Sequence, residues 1–391
     1  MPRGTDLWLQ IAVLGLALYG LLMVASASMG IYTGDNAGLL KVVIKQLIFI
    51  VIGYTALVNI ANRFTLKFLK SQSLGFLIIA IFFMLLACLV FPAENGARAW
   101  IRIGAGGSTL MTIQPSEFAK IVSMMIAAGF LGDVNRKYKN WWELCRKPLI
   151  IIACYIGIVA IAQSDMGSAA VIFIITCVCL LVPQHENLKP VQKFLRICFW
   201  LSVAFAIFIL SPYGEGVIEA IPDSILKPYQ KARFLTAIDP FQDPYGNGYQ
   251  LINGLISFAT GGFFGRGYGN SVRKYTDFPE ANTDYILAVL IEELGFAGFL
   301  VLIALYGILV FRMLYYAIHI KSERAKVILV GGAMYFVVHI FLNIGGVTGM
   351  IPLTGVPLLM ISSGGSSTLA SMMVVGLAQA VISAKKRGEI Q

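Results

Sequence analysis

Long apolar runs recur along the chain and are separated by shorter polar segments. A window of about twenty residues, which is enough helix to span the hydrocarbon of a bilayer, identifies ten such runs. They lie near residues 7–28, 42–61, 73–91, 115–131, 149–163, 166–183, 195–211, 285–311, 327–344 and 366–384. The pattern predicts an all-α polytopic membrane protein with ten transmembrane helices, formed as a single domain by residues 1–391.

One connection between these runs is much longer than the others and covers residues 211–283. A connection of that length is seldom a passive linker in a compact protein. Within it, residues 249–264 place apolar side chains at helical spacing. We expect a large extracellular loop that rests on the membrane through interfacial helices.

A glycine-rich and proline-rich segment interrupts the apolar pattern before the last helix. Residues 343–367 read NIGGVTGMIPLTGVPLLMISSGGSS. Irregular backbone at membrane depth is tolerated only where it is buried in protein or lines a wet cavity. The segment therefore predicts a broken or re-entrant stretch, with a simple outer hairpin as the alternative. Free amides near Ser362, Gly364, Gly365 and Ser366 could bind phosphate oxygens there.

The composition is that of a chain whose solvent is mostly lipid. Hydrophobic residues make up 58% of it and charged residues 13%, whereas a soluble domain has about 25% charged residues. A water-soluble globular domain is therefore excluded. The 6 cysteines form no CxxC pair and have no histidine at metal-ligand spacing, so we interpret them as small hydrophobic residues.

The distribution of basic residues predicts the orientation. An even number of spans puts both termini on one side, and most of the 30 lysines and arginines share that side. Because basic residues are retained on the inner face, both termini are predicted to be cytoplasmic. The positive charges are scattered over separate loops, which argues against a nucleic-acid partner and favours anionic membrane lipids.

Several ionisable residues fall inside or at the ends of predicted spans, where each costs about 2.5 to 3.5 kcal/mol on insertion scales unless it is partnered. Glu117 and Lys120 share one face of the fourth helix. They form either a structural salt bridge or part of a polar cavity that Gln114 extends. Lys45, near the outer end of the second helix, is either a snorkelling anchor or an anion contact.

Acidic residues cluster just before the eighth predicted helix, at Asp277, Glu280 and Asp284. An aspartate at a helix start is often an N-cap, which accepts hydrogen bonds from the first free amides. A carboxylate beside a cavity can equally act as a general base. The residue pattern leaves both interpretations open.

Taken together, the motifs resemble those of the SEDS proteins (shape, elongation, division and sporulation), the FtsW/RodA/SpoVE membrane glycosyltransferases. They follow in order along nearly the whole chain: ARAWI at 97–101, QPSEFAK at 114–120, QSDMG at 163–167, PYQ at 228–230 with Arg233, YQ at 249–250, GGFFG at 261–265, PE at 279–280, TD at 283–284, EELG at 292–295, and GVP at 355–357 with Ser362, Gly364, Gly365 and Ser366. Residues 269–274 are more similar to the division-type FtsW branch. Asn282 and Ala99 depart from the family pattern, where histidine and arginine are frequent.

The resemblance implies a peptidoglycan glycosyltransferase that polymerises lipid II on the outer face of the bacterial cytoplasmic membrane, at the division septum. It favours Asp284 as the catalytic base over Asp284 as a cap. The residues implied or expected to contact substrate are Lys45, Arg98, Trp100, Gln114, Glu117, Lys120, Arg233, Glu280, Ser362, Gly364, Gly365 and Ser366.

The resemblance also implies partners: a class B penicillin-binding protein with transpeptidase activity, other division proteins and membrane lipids. No ligand cluster in the sequence requires a metal, although Mg²⁺ or Mn²⁺ could help to stabilise the leaving pyrophosphate. Two alternatives remain, a lipid II flippase or transporter that uses the same cavity, and the elongation-type RodA role. The acidic and broken-helix motifs map to the outer half of the bundle, which favours the polymerase.

Overall fold

The computed structural model describes residues 4–94, 96–105, 108–133, 138–223, 226–276 and 278–390. The chain in these ranges is mainly helical. Its helices are α1 (Leu7–Ile31), α2 (Asn36–Arg63), α3 (Gln72–Ala87), α4 (Pro115–Leu131), α5 (Trp141–Gly157), α6 (Met166–Leu181), α7 (Lys189–Ile209), α8 (Glu215–Ala220), α9 (Pro228–Ile238), α10 (Tyr249–Gly261), α11 (Ile286–His319), α12 (Glu323–Val347) and α13 (Gly365–Lys386).

Each of the ten predicted spans is present as a helix, namely α1 to α7 and α11 to α13. In the described ranges, 8 helices are long and apolar enough to cross a membrane. Among them, α3 and α5 reach 19 and 22 residues because they continue as 3₁₀ and π turns to Val90 and Ala162. The exceptions are α4 and α6, which have 17 and 16 residues. At a rise of about 1.5 Å per residue, each is about 25 Å long and shorter than a hydrocarbon layer of about 30 Å. The protein is a multi-pass membrane protein, and the number of ten crossings stays a prediction.

The bundle is organised around α12 and α13. α13 packs along α2, while α12 contacts α4, α6, α11 and α13. The side chains of α12 and α13 are mostly buried, whereas Ile209 is the one buried residue of α7 in the described part of the chain. α7 therefore lies at the edge of the bundle, with its apolar side chains facing outward.

The two ends of the chain meet at the same end of the bundle. Asp6 caps α1, and its backbone amide donates to Oε1 of Gln379 on α13 at 2.8 Å. The Asp6 carboxylate also accepts a hydrogen bond from Nε of Arg312 on α11 at 3.0 Å. An even number of spans requires this arrangement, and the cytoplasmic orientation of that end stays a prediction.

A β-hairpin between α3 and α4 was not predicted. Strands β1 (Ile101–Ala105) and β2 (Ser108–Ile113) pair antiparallel, with an irregularity between Ile103 and Gly104. The segment is too short to produce a clear alternating pattern, so the hydropathy pattern indicated only a loop there. In the described ranges, the fold is all-α apart from this hairpin and an isolated bridge between Glu94 and Ala97.

The long loop contains the helices α8, α9 and α10, and their position at the membrane interface stays a prediction. The helix expected over residues 249–264 ends earlier, at Gly261, because Gly262 adopts a φ of +56°. The strand-like segment that follows pairs with α11: Arg266 N donates to Glu292 O, and Ala297 N donates to Phe263 O, both at 2.9 Å. α11 opens to accept this segment at Gly295, where φ is +68°.

Two adjacent glutamates of α11 anchor the same loop. Glu293 accepts from Lys274 Nζ at 2.8 Å and from Ser26 Oγ of α1, and neither Glu293 nor Lys274 is exposed. Glu292 accepts from Ser271 Oγ at 2.6 Å. Glu293 thus has a partner on a second helix, Ser26 of α1. Residues 269–274 are thereby fixed against α1 and α11.

The segment between α12 and α13 enters the protein. Residues 358–361 are at most 1% exposed, although they belong to no helix or strand. The backbone has positive φ at Gly349, Gly355 and Met360. The prediction of a broken segment is confirmed, and the simple outer hairpin is excluded because such a hairpin would leave these side chains exposed.

Candidate active site

Asp284 lies just before α11, at the end of the bundle opposite the chain termini. The N-cap of α11 is Tyr285, and no side chain caps that helix. The Asp284 side chain is half-buried. Within the described ranges, its carboxylate has no hydrogen-bond partner. The alternative in which Asp284 is a helix cap is therefore wrong, and the carboxylate is available for chemistry.

The electrostatic surroundings of Asp284 raise the pKa of its carboxyl group from 3.8 to about 7. Burial is the largest cause, the negative charge of Glu280 adds to it, and the positive charge of Arg233 opposes both. Glu280 is exposed, and its carboxylate accepts a hydrogen bond from Thr283 Oγ1. A carboxyl group with such a pKa changes its protonation state near neutral pH, which suits a general base.

Arg233 connects α9 to the buried segment between α12 and α13. Its Nη1 donates to the carbonyl oxygen of Leu353 at 3.0 Å, and its guanidinium lies 5.9 Å from the ring centre of Tyr229. The residue is otherwise exposed. The long loop thus brings a cation, through α9, into the electrostatic range of Asp284.

The backbone of the buried segment runs directly beside the carboxylate. A Cβ built on Gly355 would lie 3.7 Å from Oδ2 of Asp284, and Gly355 has a φ of +69°. Glycine is the residue that adopts this conformation without strain. The GVP motif therefore forms one wall of the site.

Three consecutive carbonyl groups hold the main chain around Asp284. Asn282 O accepts from Ser363 N at 2.8 Å, and Thr283 O accepts from Ser362 Oγ at 2.8 Å. Asp284 O accepts from Asn343 Nδ2 of α12 at 2.9 Å. Asn343 was not among the site residues predicted from the sequence. The sequence feature that could have identified it is a polar residue near the end of an apolar helix, four residues after His339 and eight after Tyr335.

A cavity of about 570 Å³ lies next to Arg233 and Tyr285. Its wall combines one arginine with hydroxyl, amide and aromatic groups. The polar and aromatic residues among those that line it are Tyr229, Arg233, Thr236, Asn247, Tyr249, Gln250 and Tyr285. Tyr285, which directly follows Asp284 in the chain, and Arg233, whose charge acts on Asp284, both line this cavity.

A second polar cluster is fully enclosed between α4 and α12. Lys120 Nζ lies 2.7 Å from Glu117 Oε1 and 3.0 Å from His339 Nε2, and Tyr335 OH donates to Glu117 Oε2 at 3.1 Å. His339 Nδ1 lies 2.6 Å from the carbonyl of Tyr335, so it must carry the proton while Nε2 accepts from Lys120. Glu117 and Lys120 are each 1% exposed. The predicted salt bridge is present, and a substrate contact by either residue stays a prediction.

The first residues of α4, α6 and α13 converge. Gln114 donates through Nε2 to Asp165 at 3.1 Å and through its backbone amide to Ser366 Oγ at 3.0 Å. Asp165 also caps α6. Gly365 begins α13, whose first-turn amides have no carbonyl partner within the helix. The predicted phosphate contacts at Gly364 and Gly365 therefore stay open.

Ser362 differs from these two glycines because its polar groups already have protein partners. Its amide donates to Leu358 O at 2.9 Å, and its hydroxyl donates to Thr283 O. The neighbouring amide, of Ser363, donates to Asn282 O. In this structure Ser362 thus supports the loop that carries Asp284.

Three of the predicted substrate contacts are not brought to Asp284 by any contact in the described ranges. Lys45 is exposed on α2. Arg98 is exposed, and its Nη1 donates to Leu89 O at 3.4 Å. Trp100 is half-buried just before β1. Their roles stay predictions, and Asp277 lies outside the described residues.

Among the described residues, no group of three or more His, Cys, Asp or Glu side chains could hold a metal ion. A magnesium ion is often bound by only one or two carboxylates together with the phosphates of a substrate. The prediction of a shared Mg²⁺ or Mn²⁺ therefore stays open, with oxygens of the substrate needed to complete its ligand shell.

Comparison with known proteins gives a consistent picture. The FtsW/RodA/SpoVE family model, described as "Cell cycle protein", matches residues 7–387. The "Probable peptidoglycan glycosyltransferase FtsW" of Coxiella burnetii is 32% identical over 378 residues, which cover 95% of this chain and 94% of the relative. Stage V sporulation protein E of Bacillus subtilis is 32% identical over 380 residues, with 95% of each chain covered.

Two solved structures are similar over 98% of both chains. One, described as "Structural coordination of polymerization and crosslinking by a peptidoglycan synthase complex", gives a TM-score of 0.72 at 24% identity. The other, Rod shape determining protein RodA of Thermus thermophilus, gives a TM-score of 0.61 at 21% identity. At this level of identity the two structures establish a shared fold.

Proposed function

Since this chain belongs to the FtsW/RodA/SpoVE family of cell cycle proteins, we propose that it is a peptidoglycan glycosyltransferase that polymerises lipid II for cell division. The name of the Coxiella burnetii relative, which is similar over nearly its full length, supports the activity and the division branch. The observation that carries the mechanism is the half-buried Asp284 carboxylate, which has no hydrogen-bond partner in the described ranges. The next residue in the chain, Tyr285, lines the cavity.

In the proposed reaction, the 4-hydroxyl of the acceptor sugar attacks the anomeric carbon of the donor. The new glycosidic bond forms as the bond from that carbon to the pyrophosphate oxygen breaks, and undecaprenyl pyrophosphate leaves with the electron pair. Asp284 takes the proton of the hydroxyl in the transition state. An α-linked donor that gives a β-linked product requires inversion, and therefore a single displacement.

The cavity beside Arg233 suits a saccharide portion of lipid II. Its volume of about 570 Å³ is in the range of small-molecule sites. Amide groups of Asn247 and Gln250 and the ring of Tyr229 offer hydrogen bonds and stacking surfaces for a sugar. A single arginine would compensate little of the charge of a pyrophosphate, so we assign the pyrophosphate to the neighbouring first turn of α13.

Arg233 has a second role in this proposal. Its Nη1 is held by Leu353 O, which orients a guanidinium that has further N–H donors for the substrate. The same positive charge favours the ionised form of Asp284. Arg233 thus supports both substrate binding and the basic form of the catalytic carboxylate.

We also propose a class B penicillin-binding protein as a partner and the division septum as the location. The synthase complex of similar fold is described as coordinating polymerisation with crosslinking, which supports a transpeptidase partner. The relative of Coxiella burnetii is named FtsW, which supports a role in division rather than in elongation.

The test is polymerisation of labelled lipid II by the purified protein with its penicillin-binding partner. The native chain is expected to make glycan ladders, and Asp284→Asn is expected to make none. Asp35→Asn is the matched control, because Asp35 caps α2 and asparagine caps as well as aspartate. If neither the native chain nor Asp284→Asn makes ladders while both move lipid II across liposomes, the transporter is the better assignment.

A further inference from the structure

The direction of the Asp284 carboxylate is set through its main chain. Its side chain has no hydrogen-bond partner in the described ranges, so no neighbouring side chain aims it. The carbonyl oxygens of the three consecutive residues 282–284 accept hydrogen bonds from Asn343 of α12 and from Ser362 and Ser363 of the buried segment. We propose that Asn343 and Ser362 are positioning residues, which hold this main chain so that the carboxylate faces the acceptor hydroxyl. This inference rests on the proposed function.

Asn343 joins two separate parts of the site. Its Nδ2 donates to Asp284 O at 2.9 Å and to Val356 O at 3.0 Å, and the residue is 1% exposed. Both N–H bonds of the amide are used, and the opposite amide orientation would place an oxygen against two carbonyls. The amide therefore links the Asp284 loop to the GVP motif that forms the wall beside its carboxylate.

Ser362 makes the second link, one residue earlier in the loop. Its hydroxyl donates to Thr283 O at 2.8 Å and accepts from Leu358 N at 3.0 Å, and the residue is 1% exposed. The donor and the acceptor function of the hydroxyl are both satisfied within the protein. Ser362 thus acts on Asp284 through the backbone of Thr283.

Loss of either link would let the carboxylate move relative to Gly355. An error of about 1 Å in the position of a reacting group can lower a rate about 100-fold. The saccharide cavity is lined by α9, α10 and neighbouring residues, and neither Asn343 nor Ser362 belongs to its lining. A positioning role therefore predicts a loss in kcat with little change in KM.

The experiment compares Asn343→Ala and Ser362→Ala with two matched controls in the full-length protein with its partner. Thr348→Val removes a bond from Thr348, the C-cap of α12, to the carbonyl of Ile344, and Thr176→Val removes one to Ile172 O within α6. Neither control bond reaches the Asp284 loop. Thermal unfolding in detergent is measured for every variant, so that kcat is compared among proteins folded to the same extent.

We expect both test variants to lower kcat about 10-fold to 100-fold with KM changed by less than about threefold, and both controls to keep native values. If the controls lose as much kcat as the test variants, general destabilisation explains the loss and the positioning role is refuted. Native kcat in both test variants, with Asp284→Asn inactive, also refutes it and leaves the proposed function intact. Native activity of Asp284→Asn refutes the base itself, whatever the other variants do.

Discussion

The pH dependence of polymerisation is the most direct test of the Asp284 environment. The pKa of this carboxyl is about 7, and only the ionised form can accept the proton of the attacking hydroxyl. A base of that pKa is about half ionised at pH 7 and about one-tenth ionised at pH 6. We therefore expect kcat to rise with pH, to level off above about pH 8, and to be about tenfold lower at pH 6 than on the plateau.

Glu280→Gln should shift this profile to lower pH. The negative charge of Glu280 raises the pKa of Asp284, whereas glutamine keeps an oxygen that can accept from Thr283. Because Glu280 is exposed, we expect a change of only about 0.2 to 1 kcal/mol, as for other solvent-screened charge pairs. That range raises kcat at pH 6 by a factor of about 1.4 to 4. Arg233→Gln should shift the profile the opposite way.

The assay is the initial rate of glycan formation at saturating labelled lipid II, at fixed ionic strength, from about pH 5.5 to about pH 9. Glu219→Gln removes an equal charge from α8 of the same loop and should leave the profile unchanged. A native profile that is flat across pH 6 to 8 would refute the titrating base. An unchanged or upward-shifted profile in Glu280→Gln would refute the assigned electrostatics.

Three further predictions concern other parts of the structure. Asp284→Asn should raise the thermal midpoint in detergent at pH 8 but not at pH 4. Because folding raises the pKa of the Asp284 carboxyl, the native protein loses stability as pH rises from about 4 to about 7. Equal shifts of the midpoint at pH 4 and pH 8 would contradict this. His339→Leu should lower the free energy of unfolding by about 1 to 3 kcal/mol, because Lys120 loses a buried hydrogen-bond acceptor. An unchanged thermal midpoint in this variant would contradict the assigned network. Gly355→Ala should lower kcat, because a side chain is strained at a φ of +69° and the strain would shift the backbone that lies beside Asp284 Oδ2. Native kcat in this variant would contradict the prediction.

Local pattern was enough to predict the helices. Hydropathy depends on neighbouring residues along the chain, so the ten apolar helices, α10 and the broken segment before α13 were all predictable. The break in α11 was not, because Gly295 opens only where residues 262–267 pair with it. The β-hairpin between α3 and α4 was missed because its two strands are too short for periodicity to be distinguished from loop.

The residues of the site were likewise only partly predictable from the sequence. The motif order in the sequence identified Asp284 as the carboxylate to test, and the spacing of Glu117 and Lys120 predicted their ion pair. Only the tertiary structure could show that Asn343 and Ser362 hold the Asp284 loop, because these bonds join residues 59 and 79 positions apart in the chain. Such contacts depend on how α11, α12 and the buried segment pack together. The sequence thus determined which groups the protein carries, while packing decided which of them meet.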